Sequence, residues 1–143
     1  MGKVEKVERI VKKEKMEKLE KIEKKEKIEK TVLGLTAKVT LQGPSGKEEQ
    51  VVGRIDTGAT KSSLDISLAG KLGLSPSTKT RLIKSASGVK RRPMVLLKIK
   101  LNTHIIEEEF TLADRSHMTF PVLIGQNILK KGAFLIDPLR NVS

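Results

Sequence analysis

The chain has 143 residues, enough for one domain of ordinary size with little left over for a second. Its 29 Lys and Arg against 17 Asp and Glu give a net charge of +12, and aromatic residues make up only 2%, so any core must be aliphatic. The absence of Cys excludes disulfides, iron-sulfur ligation, thiolate zinc sites and a cysteine nucleophile, and no apolar run approaches the roughly 20 residues that span a bilayer, so the expectation is a soluble cytoplasmic protein with no membrane partner.

Residues 1–30 hold 12 basic and 8 acidic side chains, and seven of the eight Glu have a base four positions later, from Glu5 with Arg9 to Glu26 with Lys30. That orientation favours a helix, and the set contributes roughly 2 to 3 kcal/mol at about 0.3 to 0.5 kcal/mol per pair. A charged helical extension over 1–30 is therefore expected, followed by a domain over 31–143. Glu14, Lys18, Lys21 and Lys25 interrupt the continuation of the Val4, Val7, Val11 series, which argues against a coiled-coil seam. The extension reads either as a solvated arm or as a docking helix.

Beyond Thr31 the apolar period changes to that of strands. Residues 32–41 and 50–55 read as strands joined by a turn at Gly43-Pro44-Ser45-Gly46. Asp65 is placed to cap a short helix that presents Ile66, Leu68, Ala69 and Leu72 to the core, with Gly73 as its left-handed stop. Strands are expected over 79–84, 89–101 and 104–112, reversing at Ser85-Ala86-Ser87-Gly88 and at Asn102-Thr103. A buried strand over 122–124, a helix over 126–131 and a last strand over 133–136 complete a mostly β chain.

The sharpest chemical signal is Asp56-Thr57-Gly58-Ala59, a carboxylate at a strand end where glycine lets another backbone come close. Asp-Thr-Gly is equally good turn chemistry. Its context adds weight, because about 65 residues later Val122-Leu123-Ile124-Gly125 supplies an aliphatic strand ending in glycine, followed at once by a helix.

These two motifs, in this order, resemble those of the retropepsin-like aspartic proteases, over roughly residues 32–138. The segment 110–125, through Asp114, Arg115, Met118, Pro121 and Gly125, resembles more particularly a family labelled ATP-dependent zinc proteases, whose bacterial members accompany glutamate-adding ATP-grasp ligases. The resemblance implies a closed β-barrel protomer with one or two short helices. It implies Asp56 as the catalytic acid, Thr57 bracing its symmetry mate, and Gly58 and Ala59 leaving room for substrate. Ile124 and Gly125 would pack beneath the loop, and residues 32–41 and 133–136 are candidate dimer strands.

Hydrolysing a peptide with carboxylates needs two of them beside one water, one ionised as base and one protonated as acid. One Asp-Thr-Gly per chain thus calls for a homodimer with the pair on its two-fold axis. Like charges about 3 Å apart keep one proton between them. No metal or cofactor is required. A flap is expected at Ser85, Ala86, Ser87 and Gly88, where an ordinary surface turn is the alternative.

Between Ile66 and Ile106 there are nine bases and no acid. Such a field over a cleft favours an acidic, glutamate-rich peptide or protein substrate, with Arg91, Arg92, Arg115 and His117 as contacts, unless these bases are simply solvated strand faces. Nucleic acid is the weaker option, since three Phe furnish a poor stacking platform. A phosphate loop at 43–48 fails on spacing, two His without a His-Glu-x-x-His helix argue against catalytic zinc, and no Gly-x-Ser-x-Gly supports a serine nucleophile. The expectation is an aspartic endopeptidase; its rivals are a non-catalytic peptide-binding or dimerisation module of the same fold, and a basic nucleic-acid binder.

Overall fold

The computed structural model describes residues 2–76, 79–86 and 88–142. The chain forms two compact units, Met1–Thr31 and Val32–Ser143. The first is the helix α1, Gly2–Glu29, whose described apolar side chains, among them Val7, Ile10 and Met16, are exposed like its charges. Its stability therefore rests on local charge pairs rather than on burial of its own side chains.

In the second unit β1 is Val32–Leu33, β2 Thr36–Gln42 and β3 Glu48–Ile55. The expected single strand over 32–41 is thus broken at Gly34 and Leu35. The cause is not local: a Cβ on Gly34 would lie 2.4 Å from the Arg140 carbonyl oxygen, so the chain bends where the two ends of the domain meet. β1 leaves the barrel to pair in parallel with the last strand, β9, Leu135–Ile136. That strand begins two residues later than expected, because Ala133 takes a φ of +51°.

β2 and β3 form a hairpin with antiparallel register from Thr36 opposite Arg54 to Gln42 opposite Glu48. Next comes β4, Ser62–Asp65, which composition does not announce: two serines in a four-residue strand, every one of them buried. The helix α2, Ile66–Lys71, buries Leu68 and Ala69, with Leu72 following, and stops at Gly73 with φ +70°. Ile66 does not join the core as expected; it is 52% exposed, since one and a half turns bury only one narrow face.

β5 (Thr80–Ser85), β6 (Gly88–Leu101) and β7 (His104–Ala113) are consecutive antiparallel strands, with Asn102 in the left-handed conformation at the second reversal. β8 (Val122–Ile124) and the helix α3 (Gln126–Lys131) match their expected bounds.

Pairing in the order β2, β3, β8, β4, β7, β6 returns to β2 through Thr40–Lys100, Leu41–Ile99 and Gln42–Lys98, closing a six-stranded barrel. Alternating inward residues fill it, including Val39, Leu41, Leu64, Leu97, Ile99, Phe110, Val122 and Ile124, each 0 to 1% exposed. β5 stays outside the closed ring, paired only with the first half of β6.

Candidate active site

Asp56 sits where β3 leaves the barrel. Its amide donates to the Ile124 carbonyl at 2.9 Å, continuing the parallel β3–β8 register by one residue. The chain then turns: the Ala59 amide reaches the Asp56 carbonyl at 3.3 Å, and the Gly58 amide donates to Asp56 Oδ1 at 3.0 Å. The half-buried carboxylate is therefore fixed by its own loop.

The loop is in turn seated on the start of α3. Gln126 and Asn127 donate their amides to the carbonyls of Ala59 (2.8 Å) and Thr60 (3.2 Å), and Gln126 Nε2 donates to the Thr57 carbonyl at 2.8 Å. Gly125 is what permits this approach, because a Cβ there would lie 2.2 Å from the Lys61 carbonyl oxygen and 2.8 Å from that of Ala59. Its amide donates to Ser62 Oγ at 2.9 Å, and that hydroxyl donates to Asn127 Oδ1 at 2.7 Å. Asn127 Nδ2 reaches the Glu109 carbonyl at 3.0 Å and Glu108 Oε2 at 3.5 Å, while Lys131 Nζ lies 3.3 Å from Glu108 Oε1. Burial raises the Glu108 carboxyl, but the Glu109 amide, Lys131 and Asn127 outweigh it and hold the group below the ordinary carboxylate range.

On the other side, the β5–β6 hairpin and the loop enclose a cleft of about 590 Å³ that begins at Gly58. Leu82, Ile83, Val89 and Leu123 give it apolar walls, and Lys61, Arg81, Lys84, Arg92 and Arg115 bring five bases with no acid among the lining residues. Arg81 is partly compensated by Glu109 at 3.2 Å.

Arg115, 9% exposed, reaches the cleft from the loop after β7. Its Nε donates to the Phe120 carbonyl at 3.0 Å, and its amide donates to Asp65 Oδ1 at 2.8 Å. Burial, reinforced by Arg92 and Arg54, lowers its guanidinium pKa, with Asp65 opposing. Asp65 occupies the N-cap position of α2, where its carboxylate takes the Ser67 hydroxyl and the Arg115 amide. Burial raises the Asp65 carboxyl, yet these bonds, with a smaller contribution from the Leu68 amide, hold it below the ordinary range.

The structure thus brings Asp56, Thr57, Gly58, Ala59, Ile124 and Gly125 together at one end of the barrel. Ser85 pairs with Gly88 across the hairpin tip that includes Ala86, and Ser87 lies outside the described residues. Arg92 and Arg115 line the cleft; Arg91 and His117 do not. Arg91 is exposed and donates to Thr80 Oγ1 at 3.3 Å, a bond that holds its guanidinium along β5. His117 is exposed beside Asp114, which Ser116 and His117 hold below the ordinary carboxylate range. Lys61, Ser63 and Thr111 were not singled out by sequence, since nothing local marks a strand serine or threonine as facing a cleft. Among the described residues no group of three or more His, Asp or Glu could hold a metal ion, and no helix is long and apolar enough to cross a membrane.

Comparison with known proteins agrees with this architecture. A family model described as RimB-like, retropepsin-like aspartic endopeptidase RimB, matches residues 74–143, just under half of the chain and beyond the Asp56 loop. No curated protein matches. Among solved structures, Lpg0085 of Legionella pneumophila, a protein of unknown function, is similar at 20% identity and a TM-score of 0.57, over 79% of this chain and 97% of that one. The EIAV protease in complex with the inhibitor HBY-793 is similar at 19% identity and a TM-score of 0.53, over 69% of this chain and 88% of that one. The fold is retropepsin-like, mostly β, with a closed six-stranded barrel.

Proposed function

We propose that the chain is a homodimeric, cytoplasmic aspartic endopeptidase in which Asp56 from each protomer forms the catalytic pair. One carboxylate, ionised, takes a proton from the attacking water; the other, protonated, donates to the scissile carbonyl, and the peptide passes through a non-covalent tetrahedral intermediate. Thr57 braces the pair across the two-fold axis, residues 32–41 and 133–136 supply strands to the dimer, and the 85–88 tip acts as the flap. The basic cleft favours acidic, glutamate-rich peptides. A single observation carries the reading: Gly58, which lines the hairpin-covered cleft, donates its amide to the Asp56 carboxylate, on a loop seated against Gly125 and α3.

Asp56→Asn is expected to abolish peptide hydrolysis, by at least a thousandfold, while the dimer persists in sedimentation. Retained turnover in a clean preparation, or a strictly monomeric active protein, overturns the proposal. Hydrolysis should resist a chelator and be blocked by a statine-type mimic of the tetrahedral intermediate. The alternative is a peptide-binding or dimerisation module that keeps the fold. Saturable peptide binding without products would select it. Binding of nucleic acid that weakens steeply with salt and ignores Asp56 would select the third.

A further inference from the structure

One side chain in the cleft is chemically out of place. Ser63 on β4 is 7% exposed, lines the cleft, and its Oγ is the one buried side-chain polar atom without a hydrogen-bond partner among the described residues. A buried hydroxyl left unpaired is a net cost to the fold, so the position of Ser63 asks for a use. Its neighbours on the same wall are Arg115 and Thr111, both buried, with Arg92 from the hairpin opposite.

The donors available there are complementary to one ligand chemistry. With Nε of Arg115 engaged by Phe120, the two terminal guanidinium nitrogens remain, and they present the planar fork that suits a carboxylate. Ser63 adds a third donor. Thr111 is committed, donating to the Ser62 carbonyl at 3.3 Å. No acid lines the cleft; Asp65 accepts from the Arg115 amide and acts on the guanidinium through its charge, with no described hydrogen bond to the terminal nitrogens. Leu82, Ile83 and Leu123 beside these donors suit an aliphatic stem. A carboxylate on a short methylene chain satisfies both halves.

We propose that Ser63 and Arg115 form a single subsite that binds the side-chain carboxylate of a substrate residue, with Ser63 adding a charge-assisted bond to glutamate that is only neutral with glutamine. The proposal rests on the cleft being a peptide site, but not on turnover. A glutamate carboxylate accepts charge-assisted bonds from all three donors, whereas a glutamine amide offers one neutral acceptor, meets a guanidinium that cannot receive its NH2, and gains only a neutral bond with the Ser63 hydroxyl. The basic field over the hairpin raises the local concentration of any acidic peptide; this subsite reads one position of it.

The test uses the full chain carrying Asp56→Asn and C-terminally amidated peptides in which a single Glu or Gln is moved through successive positions, with binding measured by calorimetry. One position should prefer Glu by at least about tenfold, the discrimination expected of a charge-assisted hydrogen bond. Adding Ser63→Ala should cut that preference about fivefold or more, with Gln peptides losing less than Glu peptides because their bond to the hydroxyl is neutral, and Ser63→Thr should restore it. Ser63→Ala should also raise the melting temperature by a few degrees, because it removes an unsatisfied buried hydroxyl. A merely structural serine would not couple higher stability to lost selectivity. Arg115→Lys should lower the Glu preference further. Equal binding of Glu and Gln at every position, no binding of either peptide series, a preference that appears only with a free C-terminal carboxylate, or a preference untouched by Ser63→Ala overturns the subsite. Failure of wild-type hydrolysis with the Glu preference intact overturns the endopeptidase and spares the subsite.

Discussion

The loop that carries Asp56 and the hairpin that faces it are built on opposite principles. The loop is short, lies against buried strands and spends its carbonyls on α3: Thr57, Ala59 and Thr60 all accept bonds from Gln126 and Asn127. The hairpin stands outside the closed ring, with Leu82 and Val89 more than half exposed and, among the described residues, its strand pairing and one exposed ion pair to β7 to hold it. On the proposed reading, the carboxylate to be aimed is set on the rigid element and the element to admit a ligand is left with few contacts. The two glycines show the contrast most simply. Gly125 is glycine because a side chain has nowhere to go; Gly88, with φ +115° and open space around it, is glycine because of its backbone angle.

The largest expected effect follows from that pair. Gly125→Ala drives a methyl into the Lys61 and Ala59 carbonyls, and since those atoms are main chain the loop itself must move. A loss of about 3 kcal/mol or more is expected, with Asp56 displaced and hydrolysis gone. Gly88→Ala meets no atom and should cost only about 1 kcal/mol of backbone strain at the tip. Denaturant titration of both variants gives the comparison directly, and equal destabilisation would show that the hairpin is as constrained as the loop.

Next in size is Asn127→Ala. It removes the acceptor of Ser62 and the donor to Glu109, leaving a relay anchored at Gly125 half satisfied. About 2 kcal/mol of stability is expected to go, together with a drop in kcat larger than any change in KM, because the loop is loosened while the cleft walls on the hairpin remain. Asn127→Asp should recover part of both losses, since a carboxylate still accepts from Ser62.

How much of this was legible before the fold is clearest at β4. The Asp-Thr-Gly loop and the aliphatic strand ending at Gly125 can be read from the chain because each is a contiguous pattern with one physical meaning. Ser62 to Asp65 carries no such pattern, yet it supplies the cleft hydroxyl of Ser63 as well as the relay hydroxyl and the carboxylate that holds Arg115, the last two through partners 50 or more residues away. The break at Gly34 fails to show for the same reason, since its cause is Arg140. Arg91 and Arg92 look alike in sequence, and what separates them is a partner eleven residues back, Thr80, to which Arg91 donates.

Acid provides a third way to sharpen the comparison. Asp65 and Glu108 both have their carboxyls held below the ordinary range in the folded chain, so each stabilises the fold above the unfolded pKa and ceases to do so as pH falls through the lower folded value. Stability should therefore be level above about pH 5 and fall progressively below about pH 4. Asp65→Asn should shallow that fall while lowering stability at neutral pH, because it keeps an acceptor for the Arg115 amide but not its charge. A melting temperature independent of pH from 6 down to 3 would contradict the assignment of these bonds.

The smallest effect belongs to the hairpin's own tether, the Arg81 pair with Glu109 at 3.2 Å, in which both side chains are more than a third exposed. Solvent screens such a pair, so Arg81→Ala should change global stability by no more than about 0.5 kcal/mol, and added salt should erase most of that. Its consequence should appear instead in amide exchange: residues 80–85 should exchange faster in the variant while the barrel strands and the Asp56 loop keep their protection. Arg81 joins β5 to β7 across the mouth of the cleft, and nothing comparable ties the loop, which is secured from beneath by α3. If the loop lost protection along with the hairpin, the two would be one cooperative unit, and the division of labour between a fixed acid and a movable cover would not hold.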